Sequence, residues 1–426
     1  MSNSPFYFIL STLLQDILPF LSVKEAIRFD SALTDKSYRQ EVCQQITNYV
    51  NSFMGDVPTS LKEIEWLVRR KAIITRARFG GPFDKPYLVT KLERSLSMCN
   101  ITLTDLSFYT KESKEVMSIC PSLPNLERFK LYTQQIPANL RLFWPQHNTL
   151  KHVNLTGHIY RGPDLITTLA KSCTQLVSFK LFSVIFDRDI YALATYCPML
   201  ERLSLGSKAE VAPQKELSKD TLIKLATNCI YLKEISFYNF KYLTDDIVAA
   251  FVPYMHNLLH FELTSSYQIS DASVASIVTH CHQLQSIDIT WCPLVSKSGY
   301  LQLKLIPTLT SITMYDMNCE SHTVNPHTDE TGFANLLEVV KDANQLIDEY
   351  YFDADYSYAH DDENIGHNYD PYDNLMKNYG VFALHDNYLY DDDGNYYTDD
   401  EEGEEDVGDE QDEEEEVEGE HIQERD

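Results

Sequence analysis

The sequence predicts an α/β solenoid, a curved parallel sheet on one side with a row of helices on the other. Three observations predict it. The pattern Leu-x-x-Leu-x-Leu, with other apolar residues substituting freely, recurs about nine times at a spacing near 25 residues. Helical-looking runs that close on a cysteine stand in register before several of these units. The charge imbalance of the chain is confined to its end, which leaves an electrically balanced body able to fold around an apolar core.

The units open at Leu103, Leu126, Leu150, Leu176, Leu200, Leu232, Leu258, Leu284 and Leu309, at intervals of 23, 24, 26, 24, 32, 26, 26 and 25 residues. The long interval holds a polar insertion near Lys208–Ser218, read as a surface loop. Within a unit the Leu-x-Leu piece is a short strand whose side chains alternate between two faces. Neither strand nor helix can bury its apolar side alone, so successive units must stack.

Three residues before the opening leucine stand Cys173, Cys197, Cys229 and Cys281, with Met255 and Ile306 in the same place elsewhere. A small apolar side chain suits the tight junction of helix and strand. The nine cysteines are an odd number, which points to buried thiols in a reducing compartment. Thr244-Asp245-Asp246 and Ser270-Asp271 are helix starts suited to the free N–H groups of a first turn.

These units resemble the cysteine-containing subclass of leucine-rich repeats, and Trp291-Cys292-Pro293 matches the second cysteine of that subclass. Most other units lack this residue, so the match is to a degenerate form covering about half the chain. The repeats are assigned to 99–320, with 321–350 a C-terminal cap or linker in which Leu336, Leu337, Val340 and Leu346 suggest one helix.

Before the repeats, 1–50 predicts two short amphipathic helices. Leu13, Leu14, Ile17, Leu18 and Leu21 fall at helical spacing, and Ser22 with Glu25 forms a capping box for the second helix. One reading is a lid over the open end of the solenoid. The other comes from resemblance: Leu13 to Glu25, including Phe20 and Val23, is similar to the centre of an F-box. The sequence departs from that pattern at Ile9-Leu10 and Thr12, and again at Ala32-Leu33-Thr34-Asp35-Lys36, where the closing Val-Cys-Lys-x-Trp is missing. The resemblance implies that Leu13, Leu14, Ile17, Leu18, Phe20, Leu21 and Val23 dock a Skp-type adaptor, and through it a cullin. The chain would then be the substrate receptor of a Skp–cullin–F-box ubiquitin ligase, selecting proteins for degradation without doing chemistry itself. Residues 51–98 are read as a helical connection to the solenoid, and Arg69-Arg70-Lys71 as a solvated helix end, so no nucleic-acid partner is expected.

A protein target would lie on the face that alternates with the buried residues. Arg128, Lys130, Tyr132, His152, Lys180 and Arg202 come from the earlier units; Glu234, Tyr238, Glu262 and Asp288 come from the later ones. The basic earlier half would receive an acidic group and the acidic later half a basic one, with tyrosines as amphipathic anchors.

From Asp342 to Asp426 there are 32 acidic and two basic residues, a balance of −30, so residues 1–341 hold 33 basic and 32 acidic, or +1. The Tyr/Asp-rich and acidic stretch 351–426 cannot bury enough apolar surface to offset chain entropy and is expected to be disordered. Asp391-Asp392-Asp393-Gly394 fails as a calcium loop because Leu389 stands where the first acidic ligand is needed.

No phosphate-binding glycine loop, HExxH, CxxC pair or nucleophile elbow occurs. No metal, cofactor or catalytic residue is expected. The longest apolar stretch, Phe6–Leu21, is broken by Gln15 and Asp16 and lacks the flanks of a signal peptide, so the expectation is no membrane span and a cytoplasmic or nuclear location. Two other readings stay open: a repeat scaffold whose acidic tail binds basic proteins, and a GTPase-activating protein for Ran, a family that joins repeats to an acidic tail but lacks this cysteine register.

Overall fold

In the computed structural model the protein is described over residues 74–80, 86–110, 122–159, 164–206, 217–240, 243–266, 268–315, 321–338 and 340. The F-box-like segment, including Leu13 to Val23, and the Tyr/Asp-rich acidic stretch lie outside the described residues. Among the described residues most repeats form the same two pieces: period-2 apolar residues make a strand, and the run before it, which closes on a cysteine in several units, makes a helix.

The strands are β1 (Arg76–Gly80), β2 (Asp105–Tyr109), β3 (Arg128–Ile136), β4 (His152–Ile159), β5 (Ser178–Phe182) and β6 (Arg202–Gly206). They continue as β7 (Glu234–Tyr238), β8 (His260–Glu262), β9 (Ser286–Asp288), β10 (Ser311–Tyr315) and β11 (Ser321–Val324). All pair in simple sequence order in one sheet. β1 to β10 run parallel, and β11 closes the edge antiparallel to β10. This is a leucine-rich-repeat solenoid.

The helices are α1 (Pro86–Met98), α2 (Leu140–Phe143), α3 (Leu165–Ser172) and α4 (Asp187–Tyr196). After them come α5 (Lys219–Asn228), α6 (Asp245–Phe251), α7 (Asp271–His280) and α8 (Lys297–Leu303). The core lies between helices and sheet. Leu203, Ile235 and Ile287 are at most 1% exposed, as are Leu193 of α4 and Ile277 of α7. Burying such a side chain contributes roughly 1.5–3 kcal/mol, so each repeat is held by its neighbours through many modest terms.

The repeats start earlier than the sequence reading placed them. Instead of a wholly helical connection over 51–98, this region contains β1, parallel to β2, followed by α1. Its unit reads Ile74-x-x-Ala77-x-Phe79, with all three residues buried. Alanine at the central position hides it from a leucine pattern, and the interval to Leu103 is long. Phe79 stacks on Phe108 of the next unit at 5.5 Å. At the other end, helical turns over 330–338 bury Phe333, Leu336 and Leu337 against the same core.

The cysteine register has a bonding reason as well as a size reason. The Cys173 thiol donates to the carbonyl of His147 at 3.5 Å, Cys229 to Cys197 at 3.5 Å, and Cys281 to Met255 at 4.0 Å. Each donor therefore reaches the equivalent residue one unit earlier. Desolvation pushes Cys173, Cys197, Cys229 and Cys281 up to about 12, so these thiols stay protonated.

The acidic helix starts also work between units. Asp187 accepts from the Ser218 backbone N–H at 2.8 Å, Asp245 from Ser270 at 2.8 Å, and Asp271 from Ser296 at 2.8 Å. In each case the first-turn aspartate of one helix holds the N-cap serine of the next. Thr244 makes no side-chain cap bond at α6, whereas Ser270 caps α7 by accepting from Ala272 N–H.

Candidate functional site

Helices cover one face of the sheet; the residues that alternate with the core occupy the other. Strand register arranges them in three rows running along the stack. The first row is Arg76, Asp105, Arg128, His152, Ser178, Arg202, Glu234, His260 and Ser286. The second is Arg78, Ser107, Lys130, Asn154, Lys180, Ser204, Ser236, Glu262 and Asp288. The third holds Tyr109, Tyr132, Thr156, Phe182, Gly206 and Tyr238.

The rows divide by charge. β1 to β6 carry Arg76, Arg78, Arg128, Lys130, Lys180 and Arg202 against a single carboxylate, Asp105. β7 to β9 carry Glu234, Glu262 and Asp288. Arg76 and Arg78 escape the sequence reading because their strand was assigned to a helix; the alternation Arg-Ala-Arg-Phe before Gly80 was the available signal.

The surroundings tune these groups. Burial raises the Asp105 carboxyl above its ordinary range, although Lys130, Arg128, Arg76 and Arg78 all pull it down. Burial lowers His152, and the neighbouring Arg128 and Arg202 lower it further, so its imidazole is neutral at pH 7. Burial raises Asp288 to about 6, opposed by its bonds from Thr290 and helped by Glu262. Asp288 accepts from the Thr290 backbone N–H at 2.9 Å and hydroxyl at 2.6 Å. Its first task is thus to fasten the turn that leaves β9, where Trp291 takes a left-handed conformation at φ 57°.

The aromatic residues come together in two groups. Tyr109 and Tyr132 stack at 4.5 Å with rings 6° apart, and the Arg78 guanidinium lies 5.8 Å from the Tyr109 ring. Asn154 donates to the Tyr132 hydroxyl at 2.9 Å. Farther along, Lys180 sits 5.1 Å over Phe182, whose ring meets Tyr238 at 5.6 Å. Arg128 and Arg202 are exposed, while Lys130, Tyr132, Lys180, Glu234, Tyr238 and Glu262 are half-buried. The predicted target-binding residues lie on the strand face away from the helices, spread from β3 to β9, while the predicted adaptor-binding residues lie outside the described residues. Among the described residues no three His, Cys, Asp or Glu side chains are grouped to hold a metal ion.

No protein-family model matches the chain. Among solved structures, the chain is similar to one from the complex of Rad7 and Elc1 in yeast, with a TM-score of 0.49 and 15% identity, covering 74% of this chain and 94% of that one. It is also similar to the leucine-rich repeat-containing protein LegL7 from Legionella pneumophila, with a TM-score of 0.40 and 12% identity, covering 65% and 94%. A chain of the Toll–Spatzle complex from Drosophila gives a TM-score of 0.36 and 16% identity, covering 61% of this chain and 30% of that one.

Proposed function

We propose that this protein is the substrate-recognition subunit of a Skp–cullin–F-box-type ubiquitin ligase. Its N-terminal segment docks the adaptor, and its repeats hold the protein to be modified. The observation that carries the receptor half is the sheet face itself. It presents two registered rows of charged and polar side chains along β1 to β9, and a third, partly aromatic row along β2 to β7, opposite the helix-covered side. Aromatic and arginine side chains held on a rigid sheet are the kind of anchors that dominate protein–protein affinity. The adaptor half is supported by the F-box-like residues Leu13 to Glu25.

The receptor does no chemistry of its own. In support, the six described cysteines are buried, and all are pushed up to about 11 or 12, which removes them as nucleophiles at neutral pH. The ligase partners would supply the chemistry, in the cytoplasm or the nucleus.

The test is co-purification of a Skp-type adaptor with the full chain. Replacing Ile17 and Leu18 together with Asp should abolish it. An adaptor that never co-purifies, or one retained by the double variant, would refute the ligase reading and leave a repeat scaffold for protein binding.

A further inference from the structure

We infer that the basic half of the open face reads an extended, proline-rich acidic segment of the target, with negative side chains at every third residue. This rests on the reading that the open face holds the target.

The second row alternates: Arg78, Ser107, Lys130, Asn154, Lys180 and Ser204 on β1 to β6. A cation therefore stands on every second strand. Neighbouring strands lie about 4.8 Å apart, so these cations recur roughly every 9.6 Å along the stack. A ligand following the row must present its charges at that interval. A polyproline II segment does so, because its residues repeat on one side every third position, or about 9.3 Å. A fully extended strand repeats every two residues, about 6.6–6.8 Å, and runs out of step after one cation. An α-helix repeats over two turns, close to 10.5 Å, and has drifted about 2 Å by the third cation.

Two further observations fit the same ligand. Asp105 stands between Arg76 and Arg128 in the first row. It repels a negative group placed over β2, so an unbroken acidic run is disfavoured and a spaced one is accepted. The third row sets the half-buried ring of Tyr132 beside Lys130 and that of Tyr238 beyond Lys180, backed by the buried rings of Tyr109 and Phe182. Aromatic walls of this kind pack against the proline rings between the charges.

The experiment measures binding of the full-length chain to labelled peptides of about ten residues. One has Glu at every third position with Pro between; a second has the same composition with its Glu residues contiguous. A third repeats the spaced design with phosphoserine for Glu, which separates a carboxylate source from a phosphate source. The spaced peptides should bind about tenfold more tightly than the contiguous one at low salt. Lys130→Gln should remove most of that preference, and Asp105→Asn should recover binding of the contiguous peptide. Both variants must keep the wild-type far-UV circular dichroism. Equal binding of spaced and contiguous peptides, or tighter binding of a single-stranded oligonucleotide of equal charge, would overturn the inference. Neither result touches adaptor co-purification, and loss of the adaptor leaves the peptide preference standing, so the two readings fail separately.

Discussion

Phe182 and Tyr238 meet ring against ring at 5.6 Å although their strands, β5 and β7, are not neighbours. Strand β6 runs between them, and Gly206 is the residue over which they touch. A Cβ at Gly206 would lie 2.7 Å from the Phe182 ring and 2.9 Å from the Tyr238 Cβ. Gly206→Ala should therefore push the rings apart and destabilise the protein by roughly 1–3 kcal/mol. Urea unfolding measures this. If Gly206→Ala unfolds at the wild-type midpoint, the contact is not as described.

The ties between helix starts make a pH prediction. Burial would raise the Asp245 carboxyl, but hydrogen bonds from Ser270 and Ser273 outweigh it, and its folded value lies below the ordinary one. A depressed folded value means that the stabilisation is present above the unfolded value, near 3.9, and is lost as the pH falls through the lower folded value. Asp245→Asn should cost about 1 kcal/mol at pH 7, since the site is partly solvated. It should also flatten the acid limb of the stability profile below pH 4. An acid limb identical to wild type would contradict the assignment.

Asp288 gives the opposite sign. Burial raises its folded value to about 6, so the native state binds the proton more tightly than the unfolded chain does. Its ionised form then weighs against folding, and stability falls as the pH rises from about 4 through 6. Asp288→Asn keeps an oxygen to accept from the Thr290 backbone N–H but cannot ionise. The variant should lose this pH dependence while remaining folded. Thermal melts of both proteins between pH 4 and 7 decide the point: parallel curves would remove Asp288 as the titrating group.

The cysteine ladder predicts unreactive thiols. The six cysteines among the described residues are buried, and burial keeps them protonated well above neutral pH. With a chromogenic thiol reagent at pH 8 the native protein should expose at most Cys43, Cys120 and Cys319, and all nine after addition of guanidinium. Rapid labelling of Cys197 or Cys229 in the native state, identified by mass spectrometry, would show that the packing between units is looser than described.

Much of the architecture was readable before any coordinates. Leu203, Ile235 and Ile287 stand at the central apolar position of the Leu-x-x-Leu-x-Leu pattern and are at most 1% exposed. The reason is that a stacked repeat must place the same position in the same environment each time, so one-dimensional periodicity becomes burial directly. Reading failed where a unit met the pattern with an atypical residue. Ala77 replaces a leucine, and the unit that also carries Arg76 and Arg78 was therefore assigned to a helical connection. It failed again at Asp245, whose spacing suits its own helix start but whose carboxylate is turned to the next one.

By itself, then, the amino-acid sequence determined the repeat, its strand-and-helix content, its buried face and the neutrality of its body, because each follows from the local order of apolar and charged residues. Only the tertiary structure decided which residues of different units become neighbours. Register between strands is set by packing across the whole stack. It is this register that spaces Arg78, Lys130 and Lys180 on alternate strands, lets Phe182 reach Tyr238 across Gly206, and joins Asp245 to Ser270. No single unit contains those relationships, so no reading of units one at a time finds them.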